Sequence, residues 1–225
     1  MELENLTIVI PTLNAAKSLP ATLAALRGTK AEIFIVDGES TDATVAFAEA
    51  AGYRVIATAR GRGVQLAAGV DAASREWLLL LHADTVPDEG WRDVVGRFIA
   101  DPRNADRAGV FRFATDLPGR LARSLERTVN WRSRVMALPY GDQGLLIGRD
   151  LLDRVGGVRP LPIMEDVDLV RRLGRDRLTM LAATAVTSGE RYRRYGILPR
   201  VARNMACLGL YYVGVSPTVI ARLYG

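Results

Sequence analysis

The sequence predicts an α/β protein in which a mostly parallel central sheet is flanked by helices and followed by a C-terminal helical tail. In the first half of the chain, short β-rich runs alternate with helical stretches, the pattern of strand–helix–strand crossovers. The run 77–81 is entirely apolar, as expected of a strand whose two faces are both covered by helices. With 49% hydrophobic and 24% charged residues, the 225-residue chain can bury a full core.

The predicted elements follow one another in strand–helix order. The predicted strands are short runs rich in apolar residues, at 6–10, 33–36, 54–57, 77–81, 108–114, 144–147 and 180–187. The predicted helices are the longer stretches between and after them, at 15–27, 41–51, 63–73, 119–136, 166–173, 197–210 and 217–223. Because the sequence has no internal repeat, low-complexity segment or long polar linker, we expect one domain, 1–196, and an apolar helical tail, 197–225.

The basic charge of the chain is almost entirely arginine. The formal net charge is +5, and Lys17 and Lys30 are the only lysines among 30 basic residues. Arginine binds phosphate through paired hydrogen bonds, so an anionic substrate or an anionic membrane surface fits this composition. A general arginine bias of the source proteome fits it equally well. Nucleic-acid binding is not expected, because no nucleic-acid motif accompanies the arginines.

The single cysteine and the N-terminus bear on location. Cys207 lies in an apolar stretch and cannot form a disulfide or a cysteine zinc site within one chain. Residues 1–5 are acidic and lead directly into a strand, which is not the pattern of a signal peptide. We therefore expect a cytoplasmic protein.

In open α/β sheets, ligands bind beyond the carboxyl ends of the strands. The first strand is followed by Pro11-Thr12-Leu13-Asn14, which is neither a glycine-rich dinucleotide loop nor a P-loop. Thr12 and Asn14 can hydrogen-bond a base or a ribose, although Asn14 can instead cap the next helix. Asp37 ends the second strand, where its carboxylate can accept hydrogen bonds from a base N–H or from ribose hydroxyls.

The third and fourth strands end in charged loops. Arg62 lies between Gly61 and Gly63 where a helix begins, an arrangement typical of an anion site and also of a loop with a solvated arginine. The apolar fourth strand ends at His82 and Asp84, two positions apart, so both side chains point the same way in extended backbone. The carboxylate can hold a hard divalent cation that also binds diphosphate oxygens, whereas a lone histidine is often structural.

Taken in order, these loops resemble the pattern of glycosyltransferase family 2. The matching segments are residues 11–14, 36–42, 61–73 and 81–85, and later Gly141-Asp142-Gln143-Gly144 and Met164-Glu165-Asp166-Val167-Asp168. The resemblance extends over roughly residues 6–173. Within the family, the sequence is similar to a small bacterial subfamily associated with arsenosugar biosynthesis. The resemblance implies the GT-A fold, the Rossmann-like architecture of nucleotide-diphospho-sugar transferases. It also implies an inverting, metal-assisted transfer of a sugar from a nucleotide-diphosphate sugar to an acceptor hydroxyl.

On the donor side, the resemblance implies that the nucleoside of a uridine-diphosphate sugar binds at Pro11, Thr12, Asn14, Asp37 and Arg62. Asp84 would bind Mg²⁺ or Mn²⁺, which neutralises the leaving diphosphate. His82 stands where the family usually has a first aspartate, so a neutral imidazole would take that place in the donor and metal site.

On the acceptor side, the resemblance implies that Asp166 is the general base on the acceptor hydroxyl and that Glu165 orients or shapes the site. Asp142, Gln143 and Gly144 would face the acceptor. We expect these residues and Asp84 to share one cleft, which only the fold can bring about.

Arginines precede the apolar tail, and their role is open. Arg191, Arg193 and Arg194 could close over the donor diphosphate. Together with the tail they could also contact a membrane surface, which would suit a lipid-linked acceptor on the inner face of the membrane. The simpler alternative is that the tail packs on the core or on a second copy in a homodimer. No run in the tail reaches transmembrane length, because Arg203 and Asn204 interrupt it.

Two other functions remain open on the sequence alone. A sugar nucleotidyltransferase usually has a glycine-rich basic loop after its first strand, and the segment 11–14 is not of that kind. A non-catalytic nucleotide-sugar-binding or membrane-scaffold protein is disfavoured by Asp84 and Asp166 and favoured by His82. Donor hydrolysis with Mn²⁺ separates a catalyst from a binder.

Overall fold

The computed structural model of the protein describes residues 2–224. Its strands are β1 (Leu6–Thr12), β2 (Glu32–Asp37), β3 (Arg54–Ala57), β4 (Trp77–Leu80), β5 (Thr85–Pro87), β6 (Ala108–Thr115), β7 (Leu145–Gly148) and β8 (Leu178–Thr187). Its helices are α1 (Leu19–Leu26), α2 (Thr44–Ala50), α3 (Arg62–Ala72), α4 (Trp91–Ala100), α5 (Arg120–Met136), α6 (Arg149–Arg154), α7 (Glu165–Leu173), α8 (Glu190–Tyr195), α9 (Ile197–Tyr212) and α10 (Pro217–Tyr224).

The eight strands form one mixed sheet in the order β3-β2-β1-β4-β7-β6-β8-β5. The first four strands in the chain are parallel, as the alternating pattern predicts. In the second half, β7 runs antiparallel to β4 and to β6, and β5 runs antiparallel to β8, whereas β6 and β8 are parallel. The sheet is therefore less parallel than expected, because every antiparallel pair includes β7 or β8, which lie in the irregular second half of the sequence.

The antiparallel pairing of β4 with β7 positions the site. β1, β2 and β4 all end at one edge of the sheet, with Thr12 paired to Asp37 and Val9 paired to Leu80. Leu80 also pairs with Leu145, the first residue of β7. The segment that precedes β7 therefore emerges beside the end of β4, at the edge where ligands are expected to bind.

Two apolar clusters lie on the two faces of the sheet. One face packs α1 and α4 against the sheet, through residues such as Leu23, Trp91 and Val95. The other face packs α3, α6 and α7, through residues such as Leu66 and Leu169. Since both faces are covered, the fully buried strand Trp77–Leu80 is explained by its position in the middle of the sheet.

The sequence prediction missed several elements, namely β5, α4, α6 and α8. A helical signal for α4 was present, because Trp91, Val95 and Phe98 recur at helical spacing and are all buried. In the tail, α9 and α10 form a third apolar cluster with α7, in which Cys207, Leu208 and Ile220 pack with Met164 and Val167. The tail thus packs on the helix that begins with Glu165 and Asp166.

Candidate active site

Asp37 is the last residue of β2, at the carboxyl ends of the parallel strands, and it is 4% exposed. Its carboxylate accepts hydrogen bonds from Thr12 Oγ1 (2.9 Å), from Ser40 Oγ (2.6 Å) and from the Ser40 backbone N–H (2.8 Å). Two neighbouring loops therefore hold this carboxylate in one orientation. Pro11 is also buried, within β1 directly before Thr12.

Asn14 joins the loop after β1 to the loop after β2. Its backbone N–H donates to Ser40 Oγ (2.8 Å), and its side-chain oxygen accepts from the Thr41 N–H (2.8 Å). It has a positive φ of 51°, which asparagine tolerates better than most residues. The helix-capping alternative for Asn14 does not hold, because Ser18 is the N-cap residue of α1.

Gln65 is a site residue that the sequence reading missed. Its amide nitrogen donates to Thr12 O (2.6 Å) and Val36 O (2.7 Å), and the residue is only 3% exposed. From α3 it therefore ties together the carboxyl ends of β1 and β2. The signal in the sequence is weak: one uncharged polar residue among the mostly apolar residues of α3.

The first residues of α3 and α7 meet in an ion-pair cluster. Arg62 Nε donates to Glu165 Oε1, and its guanidinium lies 3.6 Å from Asp166 Oδ2. Asp166 also accepts from the backbone N–H groups of Gly141 and Val167, both at 2.8 Å. Burial alone would raise the pKa of Asp166, but Arg62, these two N–H groups and His82 outweigh it and lower the pKa below its usual value.

Glu165 differs from its neighbour although it is adjacent in sequence. It is 1% exposed, and burial raises its pKa despite the nearby Arg62. Its Oε1 is bound by Arg62, while its Oε2 is buried with no hydrogen-bond partner among residues 2–224. A close approach fixes this arrangement, since Gly63 N–H donates to Leu161 O (3.1 Å) in the segment leading into α7.

His82 lies on the other side of the same cleft. A Cβ built on Gly141 would lie 2.6 Å from His82 Nε2 and 3.3 Å from Asp166 Oδ2, so both groups converge on the Gly141 backbone. Burial and the charge of Arg62 lower the pKa of His82 to about 4, and Asp84 and Asp166 oppose this shift only in part. The imidazole is therefore neutral at neutral pH. Asp84 and Asp166 therefore both act on the same imidazole.

A cavity runs inward from this cleft. It is lined by His82, Tyr140, Gly141, Glu165 and Asp166 at its polar end and by apolar residues of α3, α7 and β7 farther in. The end of the fourth strand and the start of α7 therefore lie at one cavity rather than on opposite sides of the molecule.

The three predicted acceptor-side residues have different environments. Burial raises the pKa of Asp142 to about 6 even though Arg132 opposes the shift, and Asp142 Oδ1 is buried without a partner in the described chain. Gln143 is fully buried: it accepts from Ser133 Oγ (2.6 Å) and donates to Phe111 O (2.9 Å). The Gln143 side chain thus faces the core, contrary to its expected orientation towards an acceptor. Gly144, with φ 61°, lines the cavity.

Of the three candidate diphosphate arginines, the structure brings Arg191 near the cleft. Arg191 is exposed and its charge helps to lower the pKa of His82. Arg193 instead pairs with Asp116 at 3.0 Å, and the Arg194 guanidinium lies over the Tyr195 ring at 5.2 Å. The predicted trio is therefore not a single cluster.

The donor groups fit a divalent cation only in part. Within residues 2–224, no three side chains of His, Cys, Asp or Glu are arranged to hold a metal ion. However, His82 is in its neutral, metal-binding form, and Asp84 lies in electrostatic range of it. These groups can supply part of a coordination shell, and further oxygens would have to come from a bound ligand.

A family model described as glycosyl transferase family 2 matches residues 7–157 of the chain. An uncharacterized glycosyltransferase of Mycobacterium tuberculosis is 41% identical over 86 residues, which cover 37% of this chain and 38% of that protein. A PGL/p-HBAD biosynthesis glycosyltransferase of the same species is 41% identical over 88 residues, covering 35% and 34%. The chain thus matches little more than a third of the length of these relatives.

Solved structures share the GT-A fold predicted for this chain. S. aureus TarS 1-349 in complex with UDP-GlcNAc superposes with a TM-score of 0.62 at 17% identity, over 83% of this chain and 59% of that one. Glucosyl-3-phosphoglycerate synthase from Mycobacterium tuberculosis, in complex with Mn²⁺, UDP and glucosyl-3-phosphoglycerate, gives 0.55 at 20% identity, over 81% and 70%. These likenesses confirm the fold class.

Proposed function

We propose, from the premise that this chain belongs to glycosyl transferase family 2, that it moves a sugar from a nucleotide-diphosphate sugar to an acceptor hydroxyl with inversion. One observation carries the proposal. His82, after the fourth strand, lines the same cavity as Glu165 and Asp166 at the start of α7, and Asp84 acts electrostatically on His82. The similarity to the subfamily associated with arsenosugar biosynthesis remains a prediction.

The donor nucleoside would bind at the edge formed by β1 and β2. Asp37 is held in one orientation and Asn14 joins the two loops above it, so the edge offers a pre-arranged carboxylate to a base or ribose. Thr12 and Pro11 complete this edge, and Arg62 lies between it and α7. Uridine diphosphate is our choice of nucleotide, supported by the UDP-GlcNAc and the UDP in the complexes of the two fold neighbours described above.

The metal in this proposal is Mg²⁺ or Mn²⁺, held by Asp84 and His82 together with the donor diphosphate. It would supply positive charge to the departing diphosphate. The protein itself adds Arg62 and Arg191 near the same imidazole, and both can stabilise negative charge that develops on the leaving group.

Asp166 would accept the proton of the acceptor hydroxyl. In the transfer, the hydroxyl oxygen forms a bond to the anomeric carbon, the bond from that carbon to the diphosphate oxygen breaks, and the proton passes to the carboxylate. The lowered pKa keeps Asp166 ionised but also makes it a weak base. Proton transfer should therefore come late, when the partly bonded hydroxyl has become strongly acidic. Glu165 holds Arg62 in place beside this carboxylate.

A thermal-shift screen tests the donor side. The protein is heated with UDP, GDP, CDP or ADP, each with and without Mn²⁺, and we expect UDP with Mn²⁺ to give the largest rise in melting temperature. Asp37→Asn should reduce that rise, and Asp84→Asn should remove its dependence on Mn²⁺. Asp106→Asn is the matched control, because Asp106 is exposed and pairs only with Arg154 in the described structure. Equal shifts for all nucleotides would argue against a donor site at Asp37.

Slow hydrolysis of a UDP-sugar then separates a catalyst from a binding protein. A transferase lacking an acceptor normally passes its sugar to water at a low rate, so we expect Mn²⁺-dependent release of UDP from UDP-glucose or UDP-N-acetylglucosamine. Binding without any release would favour the non-catalytic alternative.

A further inference from the structure

Polar atoms without partners cluster beside the proposed acceptor position. Arg132 Nη2, Tyr140 Oη and Asp142 Oδ1 are each buried and have no hydrogen-bond partner within the described residues. An unsatisfied buried polar atom costs folding free energy, so native structures rarely retain one without a role. Glu165 Oε2, in the adjoining ion-pair cluster, is a fourth such atom.

These three atoms belong to one place in the fold. The Arg132 guanidinium lies 3.6 Å from the centre of the Tyr140 ring. After burial, Arg132 is the strongest influence on the pKa values of both Tyr140 and Asp142, and the charge of Asp166 acts on both. Tyr140 lines the cavity that contains Asp166. All three residues are themselves only partly buried, so a ligand can reach them from the surface.

The chemistry of the cluster selects its ligand. A guanidinium only donates hydrogen bonds, an ionised carboxylate only accepts them, and a phenol does both. A hydroxyl group satisfies such a set, because its oxygen accepts from Arg132 while its proton is donated to Asp142. A phosphate would instead face the carboxylates of Asp142 and Asp166, so charge repulsion disfavours it.

We propose that Arg132, Tyr140 and Asp142 form the subsite that binds a neutral, polyhydroxylated group of the acceptor, such as a sugar or polyol. This inference rests on the proposed function, since it places the ligand next to the base, Asp166. The three residues come from the end of α5 and from the segment before β7, and they fix which acceptor hydroxyl reaches Asp166.

The binding test uses simple glycosides as probes. Methyl α-D-glucopyranoside, methyl α-D-mannopyranoside and glycerol are titrated into the full chain, with and without UDP and Mg²⁺, and followed by saturation-transfer difference NMR. We expect Tyr140→Phe and Asp142→Asn each to weaken binding of the recognised probe about tenfold, the effect of losing one hydrogen bond in a buried site. Tyr195→Phe is the matched control, because it removes the same hydroxyl from an exposed tyrosine.

A stability measurement distinguishes a ligand-binding hydroxyl from a structural one. Tyr140→Phe removes a polar atom that has no partner, so its melting temperature should equal or exceed that of the unmodified protein. A lower melting temperature would mean that the hydroxyl has a structural partner, and would overturn the proposal.

The remaining outcomes separate this inference from the proposed function. Glycoside binding that is unchanged in Tyr140→Phe and Asp142→Asn, or no glycoside binding at all, overturns the subsite. Inorganic phosphate that binds in place of the glycosides, and is weakened by the same variants, overturns its neutral character. Glycoside binding through Tyr140 in a protein that does not bind UDP supports the subsite and contradicts the proposed function.

Discussion

At the scale of single residues, Glu165 and Asp166 show how two adjacent carboxylates acquire different properties. Glu165 turns inward, where burial raises its pKa and Arg62 is its partner. Asp166 turns to the cleft and accepts two backbone N–H groups, so its pKa is lowered. Of these two carboxylates, Asp166 is the one directed at the cleft, where a hydroxyl can bind.

Asp166→Asn should abolish sugar transfer while leaving nucleotide binding nearly intact. The amide cannot take the hydroxyl proton, and loss of a general base commonly lowers the rate by about 100-fold or more. Release of UDP in the presence of an acceptor measures the first effect, and the thermal shift with UDP and Mn²⁺ measures the second. Asp106→Asn serves again as control. Loss of UDP binding in Asp166→Asn would show that Asp166 belongs to the donor site.

Asp142→Asn should make the protein more stable at neutral pH, and this gain in stability should shrink as the pH is lowered. The pKa of Asp142 is about 6 in the folded protein and close to that of a free aspartate when unfolded. As pH rises between about 4 and 6, the unfolded chain therefore loses this proton first, and the folded state of the unmodified protein loses stability.

Asp142→Asn has no carboxyl proton to lose. The difference in unfolding free energy between this variant and the unmodified protein should therefore grow between about pH 4 and pH 6 and become constant above pH 6. Urea unfolding at pH 4.5, 5.5, 6.5 and 7.5 measures the difference. The lowered pKa of His82 produces the opposite trend, a loss of stability as pH falls from 6.5, and it is present in both proteins. A stability difference that does not change with pH would contradict the assigned burial of Asp142.

Residue identity and spacing can select candidate site residues, but they do not predict which way each side chain points. Asp142 and Gln143 are consecutive in a short 3₁₀ turn, Gly141–Gln143, in which successive side chains point in different directions. One therefore faces the cleft and the other the core. Arg132 and Tyr140 were not predicted to belong to the site, because no sequence motif includes them and the atoms that point to a role are recognised only from their missing hydrogen-bond partners in the fold.

At the scale of elements, the site depends on the close contact between α3 and the segment leading into α7. A Cβ on Gly63 would overlap the backbone oxygen of Leu161 and lie 2.6 Å from that of Arg159. Backbone atoms cannot move aside as a flexible side chain can. Arg62 therefore reaches Glu165 only because residue 63 has no side chain.

Gly63→Ala should destabilise the protein by about 1–3 kcal/mol, the usual effect of an overpacked contact. It should also weaken UDP binding, because the segment that carries Glu165 must shift away from Arg62. Chemical unfolding and the UDP thermal shift measure the two effects.

Gly209→Ala is the matched control for this change. Gly209 is also helical, but a Cβ there meets nothing within 4 Å. Gly209→Ala should instead raise the free energy of unfolding by roughly 0.5–1 kcal/mol, because alanine has a higher helix propensity than glycine. Equal effects of the two variants would contradict the proposed contact.

Element type was predicted better than strand direction. The first four strands alternate with helices, and a crossover connection fixes them as parallel. β7 is a short apolar run, Leu145–Gly148, that would look the same in either direction. Its antiparallel pairing with β4 is set by tertiary structure, and that pairing brings Gly141 and Asp142 to the site.

At the scale of the whole molecule, the tail has two different faces. Its inner face packs on α7 through Cys207, Leu208 and Ile220, against Met164 and Val167. The outer face of α9 carries no charge, since every exposed residue in this described helix is uncharged: Leu198, Pro199, Ala202, Met205, Ala206, Gly209 and Tyr212. None of the helices within residues 2–224 is long and apolar enough to cross a bilayer.

The helices that precede and follow α9 in the chain, α8 and α10, carry exposed arginines, including Arg194 and Arg222. An apolar strip bordered by arginine favours the surface of an anionic bilayer, whereas a symmetric homodimer through this face would bring like charges together. Removing 197–225 would be a poor test, because the truncation would also uncover α7 next to Asp166. Substitutions on the outer face leave that packing intact.

We expect the outer face of α9 to contact an anionic membrane surface. Leu198→Gln combined with Met205→Gln should then abolish that contact without unfolding the protein, since these side chains are 69% and 53% exposed. Flotation with phosphatidylglycerol vesicles should recover the unmodified protein at low salt and less of it at 0.5 M salt, because screening weakens the arginine contribution. Phosphatidylcholine vesicles should recover little.

Leu121→Gln, which changes an equally apolar residue that is 51% exposed on α5, is the matched control. Equal flotation of the double variant and the control would rule out this face. A change from dimer to monomer in the double variant would assign the face to a second copy of the chain instead.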